Sequence, residues 1–186
     1  MISYNFASFA NTEQRLAVYW QFMKGKARRT TWYIVLSAFF IEAFRKKMIT
    51  VLIADDHSFV RKALKWLLEM EGDIQIVAMA SDGQEAVEQA VLHRPNVAVM
   101  DVSMPLMDGI EATKQICVCC PQTRVLMHSM NATADDVHHG IQAGASGYVL
   151  KDGTCSDLVI AVRTVFQGTP YFSKQIAEVA THHWIR

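Results

Sequence analysis

The sequence predicts an α/β fold in which a doubly wound, five-stranded parallel sheet carries helices on both faces. The first observation is a series of short apolar runs, rich in Val, Ile, Leu and Met, at residues 49–54, 74–80, 97–100, 124–128 and 147–150. Such runs are typical of parallel strands that are buried on both faces. The second observation is a helical repeat of apolar residues between consecutive runs. Regular alternation of strand and helix favours a parallel sheet, because each helix carries the chain back across one face.

The first two helices are predicted from apolar stripes with the helical period. Residues about one turn apart lie on the same helix face, so a stripe marks the side that packs on the sheet. The first stripe consists of Phe59, Val60, Ala63, Leu64, Leu67 and Leu68. The second stripe consists of Ala86, Val87, Ala90 and Val91.

The other three helices are predicted from shorter stripes and from residues that end a helix. The third stripe consists of Ile110, Ala112 and Ile116, the fourth of Val137, Ile141 and Ala143, and the fifth of Leu158, Ala161, Val162, Val165 and Phe166. The third helix is expected to stop near Pro121 and the fourth at Gly144, since glycine readily adopts the left-handed conformation that ends helices. Gly168 and Pro170 are expected to end the fifth helix.

Residues 48–167 are predicted to form the complete domain, because residues 1–47 do not continue its pattern. Met48 stands one residue before the first strand, so a start site assigned too far upstream would make residues 1–47 non-native. A genuine N-terminal extension, helical or disordered, is the alternative. Residues 168–186 are too few for another domain and are expected to form a linker or one further helix.

The longest apolar stretch, from Trp32 to Phe44, bears on membrane association. It is shorter than the roughly 20 residues that a membrane span requires. Basic residues at 28–29 and 45–47 flank it, so an interfacial anchor is the alternative. No small-residue cleavage site follows the stretch. A cytoplasmic protein without membrane association is therefore expected.

Charge and cysteine content narrow the class of protein. Residues 1–47 carry eight Lys and Arg against two Glu, a net charge of +6, and the remainder carries −6. The negative charge of the residues after 47 argues against nonspecific binding of nucleic acids by that part of the chain. Three of the four cysteines, Cys117, Cys119 and Cys120, crowd on one predicted helix, which is a poor framework for disulfides and favours a reducing compartment. A Cys/His metal site is the alternative, although no four-ligand spacing is present.

Charged side chains follow three of the predicted strands. Asp55 and Asp56 come after the first, Asp101 after the third and Lys151 after the fifth. In a parallel sheet these carboxyl ends meet at one edge, where ligands bind. Three acids and one lysine there predict a pocket that binds a divalent cation and accepts a phosphoryl group on Asp101.

The ordered set of motifs resembles the receiver domain of bacterial two-component response regulators. The resemblance covers residues 48–167 and rests on the strand-end residues above, on Met-Pro-Leu-Met-Asp-Gly at 104–109, on Ser129, and on Gly-Tyr-Val-Leu-Lys at 147–151. The branch with a LuxR-type output domain, the NarL/FixJ type, is the most similar. The segments that carry this likeness are Ala-Asp-Asp-His-Ser-Phe-Val-Arg, Ala-Gly-Ala-Ser-Gly-Tyr-Val-Leu-Lys-Asp and Gly-Thr-Pro-Tyr-Phe-Ser. The resemblance implies a flavodoxin-like fold with strand order 2-1-3-4-5.

The resemblance also implies the chemistry of the pocket. Asp101 would be the nucleophile that accepts a phosphoryl group from a sensor histidine kinase. Asp56 and Asp101 would bind Mg²⁺ together with the backbone carbonyl of Ser103, and Asp55 would act through a water. Mg²⁺ favours this mixture of carboxylates, waters and phosphate oxygens. Phosphoryl transfer needs mainly positioning and charge neutralisation, so little further machinery is implied.

Three more residues have roles implied by the resemblance. Lys151 would pair with Asp101 and the phosphoryl oxygens, and Ser129 would donate a hydrogen bond to the phosphoryl group. Movement of Ser129 would leave room for Tyr148, a two-state pair that phosphorylation biases. The responding surface would be the fourth helix, fifth strand and fifth helix, near residues 133–167. This surface would serve a homodimer or another partner.

Members of the branch normally continue into a DNA-binding helix-turn-helix, and this chain stops where it would begin. The resemblance therefore implies a receiver that is not primarily an enzyme and has no direct DNA binding. One alternative is a transcription regulator that has lost its output domain by truncation or frameshift. Another is a Mg²⁺-dependent phosphohydrolase of the haloacid dehalogenase type. Ser103 counts against the latter, because that type usually has a second Asp at this position.

Individually, the residues of the pocket have plainer interpretations. A strand-end acid can simply cap a helix or turn. Tyr148 alone would be read as a core aromatic residue, and Lys151 alone as a solvated charge. His57 follows the acidic pair and is expected at the surface, without a catalytic role. The complete, ordered set is what favours a phosphoryl-acceptor pocket.

Overall fold

The computed structural model describes residues 48–178 apart from the side chain of Cys155. Strands and helices alternate in the order that the apolar runs predict. The elements are β1 (Ile49–Ala54), α1 (Ser58–Glu69), β2 (Ile74–Ala80), α2 (Gly83–His93), β3 (Val97–Met100), α3 (Gly109–Cys119), β4 (Arg124–Ser129), α4 (Ala134–Gln142), β5 (Gly147–Leu150), α5 (Cys155–Phe166) and β6 (Tyr171–Phe172). Predictions about residues 1–47 lie outside the described residues.

The sheet is parallel throughout and has the strand order β2-β1-β3-β4-β5-β6. The predicted order 2-1-3-4-5 is confirmed, whereas the predicted number of five strands needs correction to six. The extra strand, β6, follows Pro170 within the segment expected to be a linker or helix, and residues 174–178 after it are helical. Its two residues are too few for an alternating or continuous apolar pattern, so no periodicity predicts this strand.

Helices cover both faces of the sheet, as predicted. One apolar layer joins the sheet to α1 and α5 through residues such as Leu68 and Val162. The other layer joins the opposite face to α2, α3 and α4 through residues such as Ala90, Ile116 and Val137. Ile176 is fully buried in this second layer. The packed body therefore continues beyond residue 167 into the C-terminal segment.

Side-chain caps fix where most of the helices begin. Asp82 and Asp108 accept hydrogen bonds from the backbone N–H groups three residues later, at the starts of α2 and α3. Thr133 and Thr154 form capping boxes at the starts of α4 and α5. These contacts satisfy N–H groups that have no partner within the helix. The caps fix the loops that surround the carboxyl ends of the strands.

Gly109 allows the turn after β3 to fold back on itself. Its N–H donates a hydrogen bond to the carbonyl of Val102 at 2.9 Å. A Cβ at this position would lie 2.9 Å from the carbonyl carbon of Asp101 and 3.0 Å from Cγ of Met100, and closer still to the carbonyl oxygen of Asp101. Only glycine fits this approach, which sets the backbone of Asp101 against the start of α3.

Among residues 48–178, no helix combines the length and the apolar character that a membrane span would require. The apolar stretch from Trp32 to Phe44, and with it the alternative of an interfacial anchor, falls outside those residues.

Candidate functional site

Backbone hydrogen bonds place three charged residues at one edge of the sheet. The N–H of Asp101 donates to the carbonyl of Ala54 at 2.8 Å, and the N–H of Lys151 donates to the carbonyl of Ser129 at 2.8 Å. The N–H of Asp55 donates to the carbonyl of Ala80 at 3.2 Å. Each bond continues the pairing of a strand with its neighbour. The sheet itself therefore fixes the positions of these three residues at its carboxyl edge.

The ammonium group of Lys151 bridges two carboxylates. Its Nζ lies 2.7 Å from Oδ2 of Asp55 and 2.7 Å from Oδ2 of Asp101. The side chains are 9% exposed for Lys151, 1% for Asp55 and 6% for Asp101, so water screens these contacts little. The structure thus brings together three residues that are separated by 46 to 96 positions in the sequence.

Burial and pairing act in opposite directions on the charges of this bridge. Burial raises the pKa of Asp101 above its ordinary value, and the hydrogen bond and charge of Lys151 only partly counteract this effect. Burial alone would lower the pKa of Lys151, but hydrogen bonds and charges from Asp101 and Asp55 outweigh it and raise that pKa. Lys151 is therefore held firmly as a cation, while Asp101 carries a charge that its surroundings destabilise.

Asp55, Asp56, His57 and Asp101 form a group that could hold a metal ion. One ligand atom from each of the four residues lies within 4.8 Å of all the others. Three of these residues supply carboxylate oxygens, the donors that Mg²⁺ prefers. Asp56 has an exposed fraction of 33%, which leaves room for waters to complete a coordination shell. The residues present fit a divalent cation.

Ser103 lies at the rim of this group. Its backbone forms a hydrogen bond to the Asp101 carboxylate that acts against the raised pKa of Asp101. The predicted use of its carbonyl as a metal ligand remains a prediction.

Ser129 and Tyr148, the pair expected to respond to phosphorylation, are both buried. The Ser129 hydroxyl donates a hydrogen bond to the carbonyl of Asn131 at 2.7 Å. Tyr148 is fully buried, and its hydroxyl has no hydrogen-bond partner among the described residues. Burial raises the pKa of Tyr148 to about 12. An interaction of the hydroxyl with the Ser129 side chain partly opposes this rise in pKa, so the surroundings of the Tyr148 hydroxyl depend on the position of Ser129.

Two residues near the pocket were assigned no role from the sequence. The guanidinium of Arg61 donates a hydrogen bond to the carbonyl of Asp55 and so pins the loop between β1 and α1. The backbone N–H of His57 donates to Oδ1 of Asp55 at 2.8 Å. In the sequence, the position of Arg61 one helical turn after the N-cap of α1 is the only hint of this contact. An arginine that simply faces solvent could have the same position.

His128 is a buried histidine beside the pocket, one residue before the end of β4. It is 6% exposed, and burial together with the charge of Lys151 lowers its pKa to about 4. In the unfolded chain the pKa of histidine is about 6.5. The unfolded state therefore binds a proton more readily, so folding stability is complete above about pH 6.5 and declines as the pH falls towards 4.

We expect His128 to lower the free energy of unfolding by about 2 kcal/mol at about pH 5 relative to neutral pH. Urea denaturation of the wild type and of His128→Leu at both pH values measures this, because the difference between the two proteins isolates the histidine from other titrating groups. His93→Gln, at an exposed histidine, serves as the control and should follow the wild type. Equal pH dependence of the wild type and His128→Leu would contradict the assignment.

The cysteines do not form a second metal site among residues 48–178. Within that range, the only group of three or more Cys, His, Asp or Glu close enough to share an ion is the acidic group described above. Cys117, Cys119 and Cys120 are free thiols, with Sγ of Cys119 and Sγ of Cys120 separated by 3.7 Å. The interpretation of the cysteines as a poor framework for disulfides agrees with this arrangement.

Comparison with known proteins gives consistent matches. Residues 51–163 match the family described as the response regulator receiver domain. The oxygen regulatory protein NreC of Staphylococcus epidermidis is 35% identical over 136 residues, which are 73% of this chain and 62% of NreC. The transcriptional regulatory protein LiaR of Bacillus subtilis is 40% identical over 130 residues, 70% of this chain and 62% of LiaR. The chain thus spans about 62% of the length of these relatives.

Solved structures show the same fold. A two-component response regulator of the LuxR family from Aurantimonas sp. SI85-9A1 has a TM-score of 0.72 at 30% identity, covering 75% of this chain and 99% of the other. The signal receiver domain of the putative response regulator NarL from Mycobacterium tuberculosis has a TM-score of 0.64 at 34% identity, covering 66% of this chain and 98% of the other. The chain therefore belongs to the response regulator receiver domain family, and its relatives are those of the NarL/LuxR branch.

Proposed function

We propose that the receiver accepts a phosphoryl group on Asp101 from a sensor histidine kinase, in a reaction that requires Mg²⁺. The observation that carries the proposal is the bridge of Lys151 between the buried carboxylates of Asp55 and Asp101. A buried lysine beside a buried carboxylate neutralises charge where an anionic donor must approach. The family membership of the chain supports the same interpretation.

In the proposed reaction, an oxygen of Asp101 attacks the phosphorus of a phosphohistidine. The phosphorus–oxygen bond forms while the phosphorus–nitrogen bond to the donor imidazole breaks, and the imidazole takes up a proton from solvent. Oδ2 of Asp101 accepts a hydrogen bond from Lys151. Because this oxygen is already engaged, Oδ1 is favoured as the attacking oxygen. Lys151 can then pair with the transferred phosphoryl oxygens, so the charge formed on Asp101 keeps a cationic neighbour.

The acidic group supplies the rest of the pocket. Asp56 and Asp101, with the carbonyl of Ser103, would hold Mg²⁺, and Asp55 would act through a water. Bound Mg²⁺ would neutralise the negative charge that builds up as an anionic donor meets these carboxylates. Asp101 is a buried carboxylate whose pKa is raised by burial, so its negative charge depends on the cations beside it.

The response to phosphorylation is proposed to pass through Ser129 and Tyr148. Turning the Ser129 hydroxyl from Asn131 to a phosphoryl oxygen would replace a neutral hydrogen bond with a charge-assisted one. Movement of Ser129 would change the surroundings of the buried Tyr148 hydroxyl, and with them the surface of α4, β5 and α5. That surface includes Ile160, which is 49% exposed, and is proposed to bind a second copy or another partner.

The wider role is proposed from the relatives. Response regulators are generally signal transducers rather than enzymes, and DegU and LiaR are named transcriptional regulatory proteins. We infer that this receiver takes part in the control of transcription from the cytoplasm. Direct DNA contact by these residues is not proposed, because the net charge of −6 beyond residue 47 opposes binding to phosphates.

Incubation of the folded wild-type protein with acetyl phosphate and Mg²⁺ tests the proposal. We expect a labile gain of about 80 Da in the intact mass, and its loss when EDTA replaces Mg²⁺. Addition of Mg²⁺ in excess of EDTA should restore the gain, which excludes damage by the chelator. A folded protein that gains no mass, or gains it equally with EDTA, would contradict a Mg²⁺-dependent phosphoryl acceptor.

A further inference from the structure

We propose that His57 is a further ligand of the cation pocket, and that its ring nitrogen shifts the pocket's preference from Mg²⁺ towards divalent transition metals such as Mn²⁺. The inference rests on the proposed function, because it takes the acidic group to be a cation site. It goes further by adding a nitrogen donor to a set of oxygens and by naming the class of ion that this donor favours.

The backbone of His57 is tied to the pocket. Its N–H donates to Oδ1 of Asp55 at 2.8 Å, and its φ of −86° and ψ of 110° place it as the extended residue before α1. At this N-cap position a polar side chain normally accepts a hydrogen bond from the first turn of the helix. His57 makes no such side-chain bond. The ring is therefore not engaged by the helix and lies against the carboxylates.

The donor atoms of the pocket lie close together, and small movements of the side chains would let them share one ion. Nδ1 of His57 lies 2.5 Å from Oδ1 of Asp56 and 3.6 Å from Oδ1 of Asp55. With metal–ligand bonds of about 2.1 Å, an octahedral ion separates adjacent donors by about 3.0 Å and opposite donors by about 4.2 Å. The contact between His57 and Asp56 is shorter than either value, and the ligand atoms of the four residues extend to 4.8 Å from one another. Small side-chain adjustments suffice, since the ring is 70% exposed.

A simple ion pair between protonated His57 and Asp56 would produce the same contacts in the absence of a cation. The two explanations differ once an ion enters the pocket. A ligand ring contributes its nitrogen lone pair to the ion, whereas an ion-paired ring is displaced from it. Direct detection of nitrogen beside the bound ion therefore separates them.

The nitrogen donor determines which ions the pocket binds more tightly. Mg²⁺ prefers oxygen ligands and retains its waters, so an imidazole adds little to its binding. Imidazole suits Zn²⁺, Cu²⁺, Fe²⁺ and Ni²⁺ best, and affinity for a given site rises from Mn²⁺ towards Cu²⁺. Mn²⁺ therefore gains least among the transition metals, but it accepts a nitrogen ligand more readily than Mg²⁺. Loss of the ring should therefore reduce binding of Mn²⁺ more than binding of Mg²⁺. The ratio of the two affinities reports on this ligand, independently of phosphorylation.

Pulsed electron paramagnetic resonance of the Mn²⁺-loaded full chain tests the proposal. We expect the coupling of a directly bound nitrogen in the wild type and its absence in His57→Gln, which should still bind Mn²⁺. Competition with Mg²⁺ should show the Mn²⁺-to-Mg²⁺ affinity ratio falling by about tenfold in His57→Gln. His93→Gln replaces an exposed histidine at the far end of α2 and should keep the coupling.

The possible results distinguish this inference from the proposed function. Mn²⁺ bound by the wild type without nitrogen coupling would overturn the role of His57 and leave the acidic cation pocket intact. Coupling that persists in His57→Gln would likewise overturn that role. A folded wild type that binds no Mn²⁺, and a folded Asp56→Asn that binds it as well as the wild type, would each overturn the cation pocket and with it this inference.

Discussion

Asp101→Asn is expected to gain no phosphoryl group from acetyl phosphate, whereas the wild type gains about 80 Da. The amide has the shape of the carboxylate, but its oxygen carries no negative charge and is a poor nucleophile, so no acyl phosphate should form. Stability should change little, because Lys151 retains its 2.7 Å contact with Asp55 and one of two neighbouring buried negative charges is removed. We expect the free energy of unfolding to stay within about 1.5 kcal/mol of the wild type.

Intact mass and urea denaturation of the same samples separate chemistry from folding. Asp152→Asn is the matched control, because Asp152 is an exposed aspartate directly after Lys151. It should gain the phosphoryl group as the wild type does. A labile mass gain that survives in folded Asp101→Asn would place the acceptor on another residue. Loss of the gain in Asp152→Asn would indicate that the assay responds to general changes in charge near the pocket.

Gly109→Ala is expected to lower the free energy of unfolding by about 3 kcal/mol, near the upper end of the usual range for overpacking. The added Cβ would meet the backbone of Asp101, at 2.9 Å from the carbonyl carbon. Backbone cannot rotate aside as a flexible side chain does, so the turn after β3 must shift. Because the same turn positions Asp101, phosphoryl uptake should slow even at temperatures where the variant remains folded.

Gly140→Ala provides the matched control for this prediction. Gly140 lies buried within α4, and a Cβ there would be 3.6 Å from both Met127 Cγ and Tyr148 Cε2, an ordinary contact distance. Since alanine is favoured over glycine inside helices, this variant should gain about 0.5–1 kcal/mol. Thermal or urea unfolding compares the two. Equal stability of Gly109→Ala and the wild type would contradict the close approach at the Asp101 turn.

Much of the fold could be predicted because burial imposes a simple pattern. The run from Val97 to Met100 is buried at every position, so its apolar sequence coincides with β3. The end of α4 was predictable because Gly144 adopts a φ of +99°, which other residues rarely adopt. The strand β6 was not predictable. It depends on pairing with β5 rather than on any pattern of its own.

The candidate site was predictable where the sheet determines it. Asp55, Asp101 and Lys151 lie together because parallel strands end at a common edge, a consequence of topology alone. The Ser129 hydroxyl and the closeness of His57 to Asp56 depend on side-chain rotation, which local sequence does not specify. An exposed histidine after two aspartates has the same appearance in sequence whether it faces solvent or the pocket. The roles assigned to these residues remain predictions.

The short strand β6 also bears on the solubility of the protein at high concentration. An edge strand exposes unpaired N–H and C=O groups that can recruit strands from other molecules. Without β6, the apolar strand β5 would form such an edge. The N–H groups of Tyr171 and Ser173 instead occupy the carbonyls of Ser146 and Tyr148, at 3.2 and 3.1 Å. Two residues at the margin of the fold thus protect an apolar strand from aggregation.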